Sequence, residues 1–210
     1  MKTVYDQIAM FDAPDVCSQV LIYVREQHPL CEEAQLKIFE LENVGEIIMT
    51  YIENYVLCDE AQVKMLALPK GEIFAKKYIQ MKHSFCRKAH VKMFDLENAE
   101  AIVREYVQKH YLCDEAEMKV FELENAEEVI REYMQKFPLC ENAQIKLFEL
   151  DNASEIVMTY IRQYKRSLCN EAQVKLFELK NAAELLKEYI RKNQLCDEAL
   201  TKLLEPFASK

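Results

Sequence analysis

From Leu30 onward the apolar positions fall into one arrangement that returns every 27 to 29 residues. In the first half of a copy, as in "CEEAQLKIFEL" from Cys31, a Cys, an Ala, an aliphatic and a Leu stand at relative positions 0, 3, 7 and 10. That is one stripe of a 3.6-residue helix. A second stripe, at positions 5 and 8, holds aliphatics and the phenylalanines Phe39, Phe94, Phe121, Phe148 and Phe177. At 100° per residue the two stripes cover roughly 200° of the helix, wider than a surface helix needs, so the pattern predicts a helix sandwiched between neighbours. The second half of a copy opens on Asn43, Asn98, Asn125, Asn152 or Asn181 and then places a small residue, two aliphatics and a tyrosine on one face. Asn is a favoured N-cap. Glu46, Glu128, Glu155 and Glu184 follow three residues later, the spacing of a capping box.

Aligned on cysteine, the copies begin at Leu30, Leu57, Phe85, Leu112, Leu139, Leu168 and Leu195. Pro206 shortens the last, and a degenerate copy marked by Phe11, Asp15 and Tyr23 precedes them. Such self-similarity is the signature of an array in which each unit buries its apolar face against its neighbours. The expectation is an all-α fold, an α-solenoid of about seven two-helix repeats with a period of about 27 residues. Residues 1–29 form an N-terminal capping hairpin, 30–194 six two-helix repeats and 195–210 a C-terminal capping helix, in one domain, 1–210. These antiparallel hairpins resemble bacterial helical-repeat solenoids, similar in construction to tetratricopeptide and HEAT arrays. The resemblance implies a binding scaffold, since such arrays usually hold other macromolecules. It supplies no ligand residues, because the Trp and Leu-Gly pair of the 34-residue tetratricopeptide pattern are missing.

Composition agrees with helices: two Gly and five Pro in 210 residues leave little turn chemistry for a sheet. A net charge of -9 disfavours the uniform basic field of a nonspecific nucleic-acid binder. No stretch approaches the ~18 apolar residues of a membrane span, and the acidic N-terminal stretch does not read as a signal peptide. The expected location is cytoplasmic. Seven of the eight cysteines, Cys31, Cys58, Cys86, Cys113, Cys140, Cys169 and Cys196, share one repeat position. Equivalent atoms of stacked helices lie about 8–10 Å apart, beyond the ~7 Å between Cα atoms that a disulfide spans. Reduced thiols are expected.

Several polar columns carry candidate function. Lys37, Lys64, Lys92, Lys119, Lys146, Lys175 and Lys202 give one ammonium per hairpin, able to follow a phosphate backbone or an acidic peptide. The competing reading pairs five of them with Glu33, Glu60, Glu115, Glu171 and Glu198, four residues earlier. Gln35, Gln62, His90, Glu117, Gln144 and Gln173 lie inside the apolar arc, with Leu200 in the last copy. A polar group there must be hydrogen-bonded, so the column reads as inter-repeat bonding. The recurrent tyrosines, Tyr23, Tyr51, Tyr78, Tyr106, Tyr133, Tyr160 and Tyr189, read as rings packed between hairpins. Met49-Thr50, Lys76-Lys77, Arg104-Glu105, Arg131-Glu132, Met158-Thr159 and Lys187-Glu188 vary from copy to copy. They read as drifting solvent-facing positions, or as base-reading positions of a nucleic-acid binder.

Charge breaks the period. Residues 30–56 and 112–138 each sum to -5, whereas 57–84 sum to +2 and 85–111 to +1. Lys70, Lys76, Lys77, Lys82, Arg87, Lys88 and Lys92 make this centre basic, Pro69-Lys70-Gly71 replaces the Asn cap, and Arg87-Lys88 replaces the acidic first turn. Bases at a helix N-terminus are unfavourable, so the departure marks a candidate partner-binding patch. His83, Cys86 and His90 supply three ligands where structural zinc takes four, and neither metal nor cofactor is expected. No phosphate loop, CxxC pair or nucleophile elbow occurs. The favoured reading is a non-enzymatic protein-interaction scaffold, including an inhibitor or immunity-type protein, with a protein or peptide partner. A nucleic-acid reader using the lysine column and the basic patch is the alternative. Leu200, Leu203, Leu204 and Phe207 leave an apolar C-terminal end, which reads as a contact for self-association or as the mark of a piece of a longer protein.

Overall fold

A computed structural model describes residues 2–164 and 166–208, with side chains to Glu205. Among the described residues the chain is all-helical: fifteen α-helices and no strand. Two compact units divide it, Met1–His110 and Tyr111–Lys210.

The first unit contains α1 (Val4–Ala9), α2 (Val16–Arg25), α3 (Glu32–Lys37), α4 (Val44–Tyr51), α5 (Asp59–Leu66), α6 (Gly71–Gln80), α7 (Arg87–Lys92) and α8 (Ala99–Val107). Odd helices pack on odd, α1 on α3, α3 on α5 and α5 on α7, while α2, α4, α6 and α8 pack in the same succession. The second unit contains α9 (Asp114–Val120), α10 (Ala126–Met134), α11 (Glu141–Lys146), α12 (Ala153–Arg162), α13 (Asn170–Lys175), α14 (Ala182–Ile190) and α15 (Asp197–Ala208). Here α9, α11, α13 and α15 pack in succession, and α12 packs on α14. No helix among the described residues is long and apolar enough to cross a membrane.

The core follows the sequence columns in part. Ala34, Ala61, Ala89, Ala116, Ala143, Ala172 and Ala199 are fully buried, as are the aliphatic pairs Ile47-Ile48, Ile102-Val103 and Ile156-Val157 that precede tyrosines. The second stripe departs from expectation: Phe39, Phe94, Phe121, Phe148 and Phe177 are only half-buried. Most odd helices end after six residues in a 3-10 turn, as at Ile38–Glu40 and Leu147–Glu149. The position-5 residues of the same stripe, such as Leu36, Val63 and Met118, are half-buried inside the α-helices as well, and Phe121 is half-buried with no 3-10 turn before it.

The expected Asn caps also need correction. Asn43, Asn98, Asn125, Asn152 and Asn181 do stand at the N-cap positions, but none makes a side-chain cap hydrogen bond. Their backbone has φ between -99° and -109° and ψ between 27° and 44°, away from the extended conformation of a capping residue. The glutamates of the expected boxes are drawn off to neighbouring helices: Glu46 pairs with Arg25 at 2.8 Å, Glu155 with Arg131 at 3.1 Å and Glu184 with Arg162 at 3.7 Å. A complete capping box occurs where the sequence pattern did not place one, at Thr3 and Asp6.

The irregular turn before α6 has a steric cause. Lys70 is left-handed at φ 64°, and a Cβ on Gly71 would lie 2.3 Å from the Leu66 carbonyl oxygen. Only glycine fits that approach.

Candidate interaction surface

The buried polar column is a set of hydrogen-bonded bridges between successive helix pairs. The Gln35 side chain accepts from the Cys58 N–H at 2.6 Å and donates to the Leu30 carbonyl at 3.0 Å. Gln62 repeats this with Cys86 N–H (2.7 Å) and the Leu57 carbonyl (2.8 Å). Gln144 does so with Cys169 and Leu139, and Gln173 with Cys196 and Leu168. Each bridge therefore ties the start of its own pair to the start of the next. Gln7 belongs to the column as well, accepting from Cys31 N–H at 2.7 Å. The sequence pattern hid it, because Thr3 stands where later copies have cysteine.

Two members of the column are titratable. Glu117 accepts from Cys140 N–H at 2.7 Å and from the Tyr133 hydroxyl at 2.8 Å. Burial nevertheless raises its pKa above the usual carboxylate range. His90 lies 2.8 Å from the Tyr106 hydroxyl, and burial, with His110 and Arg87 nearby, lowers its pKa to about 4.

The tyrosines hold the same joints from the even helices. Tyr78, Tyr106, Tyr133, Tyr160 and Tyr189 accept from the backbone N–H of Leu57, Phe85, Leu112, Leu139 and Leu168 at 3.1–3.4 Å. Burial pushes the Tyr51 phenol up to about 12 and raises Tyr78, Tyr160 and Tyr189 as well. All eight cysteines are free thiols. Cys86, Cys169 and Cys196 point their Sγ at backbone carbonyls of the preceding pair, 3.6–3.8 Å away. Burial pushes the Cys140 thiol up to about 12 and raises Cys58 and Cys169. A thiol must ionise to act as nucleophile or metal ligand, so these are poorly suited to either task.

The lysine column is half-buried throughout, and its expected partners are not the ones it meets. Lys92 pairs with Asp95 at 3.0 Å and Lys146 with Glu149, both three residues ahead. Lys37 and Lys64 lie 6.0 Å over the rings of Phe11 and Phe39 in the preceding pair. Among the described residues no ion pair joins Lys37 to Glu33, Lys64 to Glu60, Lys119 to Glu115, Lys175 to Glu171 or Lys202 to Glu198. The lysine stem is used to cover an aromatic edge, as amphipathic side chains commonly do.

Most of the variable positions are half-buried and Glu188 is buried, where solvent-facing positions were expected; Lys76 and Lys187 are exposed. Lys77 reaches Glu53 at 2.9 Å, and Arg131 reaches Glu127 at 2.9 Å and Glu155 at 3.1 Å. Glu188, with a side chain 10% exposed, lies 3.4–3.6 Å from Arg162, Arg191 and Lys192.

The basic segment is split by these contacts. Lys77 and Lys92 are ion-paired, and Arg87 and Lys88 open α7 beside Asp59, Glu60 and Val63, around a hollow of about 690 Å³. Lys70, Lys76, Lys82 and Lys88 are exposed, and none has an ion-pair partner among the described residues. His83 lies 2.7 Å from the Ile52 carbonyl, so the three residues suggestive of metal are engaged separately. No group of three potential ligands is assembled among the described residues. At the C-terminal end Leu200 and Leu204 are 45% and 52% exposed and Leu203 is half-buried, while the Phe207 side chain lies outside the described residues. In comparisons with known proteins, no family model, curated protein or solved structure matches the chain.

Proposed function

We propose that the chain is an α-solenoid of about seven two-helix repeats in one helical-repeat domain, and that it is a non-enzymatic scaffold binding an acidic polypeptide partner. One observation carries this reading. The recurring Gln and Cys groups of the core are spent on bonds between helix pairs and the Tyr groups on bonds within them, with phenols and thiols moved away from ionisation, while four lysines around α6 and the start of α7 stand exposed and unpaired. In a chain of net charge -9 such a segment presents a local field of opposite sign, which steers an acidic partner and fixes its register. The distributed lysine column contributes less, because its ammonium groups cover phenylalanines or meet carboxylates within their own turn.

The test is capture from a native lysate by the wild-type chain and by a variant with Lys70, Lys76, Lys82 and Lys88 changed to Glu. A polypeptide retained by the first and lost by the second is the expected result. Nucleic acid recovered in place of protein, and released steeply with salt, would replace the reading with a phosphate-backbone binder. Identical captures by both proteins would remove the site from this segment.

A further inference from the structure

We propose that the groove between α12 and α14 takes the guanidinium of an arginine side chain presented by another polypeptide. The groove lies in the second compact unit, and the inference does not rest on the exposed lysines of the first. It is a hollow of about 360 Å³ bordered by Ser154, Met158 and Arg162 of α12 and by Asn181 and Glu184 at the start of α14. The Asn181 Oδ1 is buried and has no hydrogen-bond partner among the described residues. A buried amide oxygen left without a donor is unfavourable, so a ligand that brings one is bound there.

The chain itself shows which donor fits. One joint earlier, between α10 and α12, Arg131 stands two residues before the recurrent tyrosine. It spans Glu127 at 2.9 Å and Glu155 at 3.1 Å, while Asn152 donates to Glu127 at 3.0 Å. In α12 the same places hold Ser154 for Glu127 and Met158 for Arg131, but α14 keeps the facing acceptors, Asn181 for Asn152 and Glu184 for Glu155. The joint thus retains the acceptors of an arginine without the arginine. Where Met49 takes that place on α4, the facing residues of α6 are Lys70 and Ile73, so the acceptors have gone as well. Where Leu21 takes it on α2, Asn43 Oδ1 is unpartnered too, but Arg25 closes on Glu46 at 2.8 Å. The equivalent Arg162 stays 3.7 Å from Glu184, because Glu188, standing where α4 has Thr50, draws it to 3.6 Å. An incoming guanidinium can donate to Asn181 Oδ1 and to the Glu184 carboxylate from one planar fork, with its methylene stem against Met158. An ammonium is a more strongly hydrated point charge and suits the two acceptors less well.

Titration of the isotope-labelled chain with N-acetylarginine amide, followed by the NMR amide signals of α12 and α14, tests this. Saturable shifts confined to those helices are expected, with a dissociation constant of about 1 mM for a single side chain. N-acetyllysine amide at the same ionic strength is expected to bind at least about fivefold more weakly. Asn181→Ala removes no side-chain hydrogen bond of the fold and is expected to weaken arginine binding about tenfold, the loss of one hydrogen bond. Ser154→Glu combined with Met158→Arg rebuilds the α10–α12 arrangement and is expected to abolish the shifts while raising Tm, its fold verified by circular dichroism. Absence of saturable shifts in the wild-type chain, equal affinity for the lysine probe, or binding undiminished by either variant would overturn the proposal. Tighter binding of free arginine than of its blocked form would also overturn it, in favour of a small-molecule ligand.

Discussion

Replacing Glu117 with Gln restores at one bridge the residue that five other bridges use, and the structure gives the sign of the effect. A carboxylate has no proton to give the Leu112 carbonyl, whereas Gln35, Gln62, Gln144 and Gln173 each donate to the carbonyl five residues back at 2.8–3.0 Å. The glutamine therefore adds one hydrogen bond, worth about 1 kcal/mol net. It keeps the acceptor for Cys140 N–H, and the Tyr133 hydroxyl is free to turn toward Leu112 as Tyr189 does toward the Leu168 carbonyl. It also removes a buried charge. The pKa of Glu117 is raised although two donors favour its charged form, so burial outweighs them. Together the terms predict a gain of about 1–2 kcal/mol at pH 7, or roughly 3–6 °C in Tm for a chain of this size.

The same reasoning fixes the pH dependence. An acid whose pKa is higher in the folded state binds more protons folded than unfolded, so stability falls as pH rises from the ordinary value of 4.5 through the raised one. The gap between variant and wild type should be widest above that window and shrink toward the hydrogen-bond contribution alone as pH falls to about 4.5. His90 acts in the opposite sense, because a histidine held near pKa 4 loses stability as pH falls below 6.5. Both proteins carry it, so it cancels in the difference. Thermal and urea melts followed by circular dichroism from pH 4 to 9 provide the assay. An unchanged or lowered Tm at pH 7, or a gap that widens on acidification, would refute the argument.

Two further substitutions probe the packing. Gly71→Ala drives a methyl into the Leu66 carbonyl and should cost about 2–3 kcal/mol, while Gly45→Ala, whose Cβ meets only Phe74 at 3.4 Å, should be tolerated; comparative urea melts decide. Val120 is the smallest member of a buried column whose other residues include Ile38, Met65, Met93, Leu147 and Leu176, and it borders a small apolar hollow with Ile130 and Tyr133. Val120→Leu should stabilise by about 1 kcal/mol, seen as a higher urea midpoint at unchanged slope.

Helix class and the main buried columns were written into the sequence by its period. A chain that repeats Ala, an aliphatic and Tyr every 27 to 29 residues can bury them only against copies of itself, and the alanines and tyrosines are buried as the spacing implies. The need for hydrogen bonds at Gln35, Gln62, Gln144 and Gln173 followed likewise from polar groups inside an apolar arc.

Tertiary structure alone decided who meets whom. The acceptors of the Cys31, Cys58, Cys86, Cys140, Cys169 and Cys196 N–H groups lie 23 to 25 residues back, across a helix pair, at a distance set by packing and not by local periodicity. For the same reason Lys37 and Lys64 turned to the phenylalanines of the preceding pair, and Glu46, Glu155 and Glu184 went to arginines on neighbouring helices. Local rules rank partners by sequence distance, whereas a packed array offers closer ones from the next layer. Half-burial of the second stripe, from Leu36 and Phe39 to Val174 and Phe177, likewise depends on which neighbours pack against each helix, and the repeat spacing alone does not carry it.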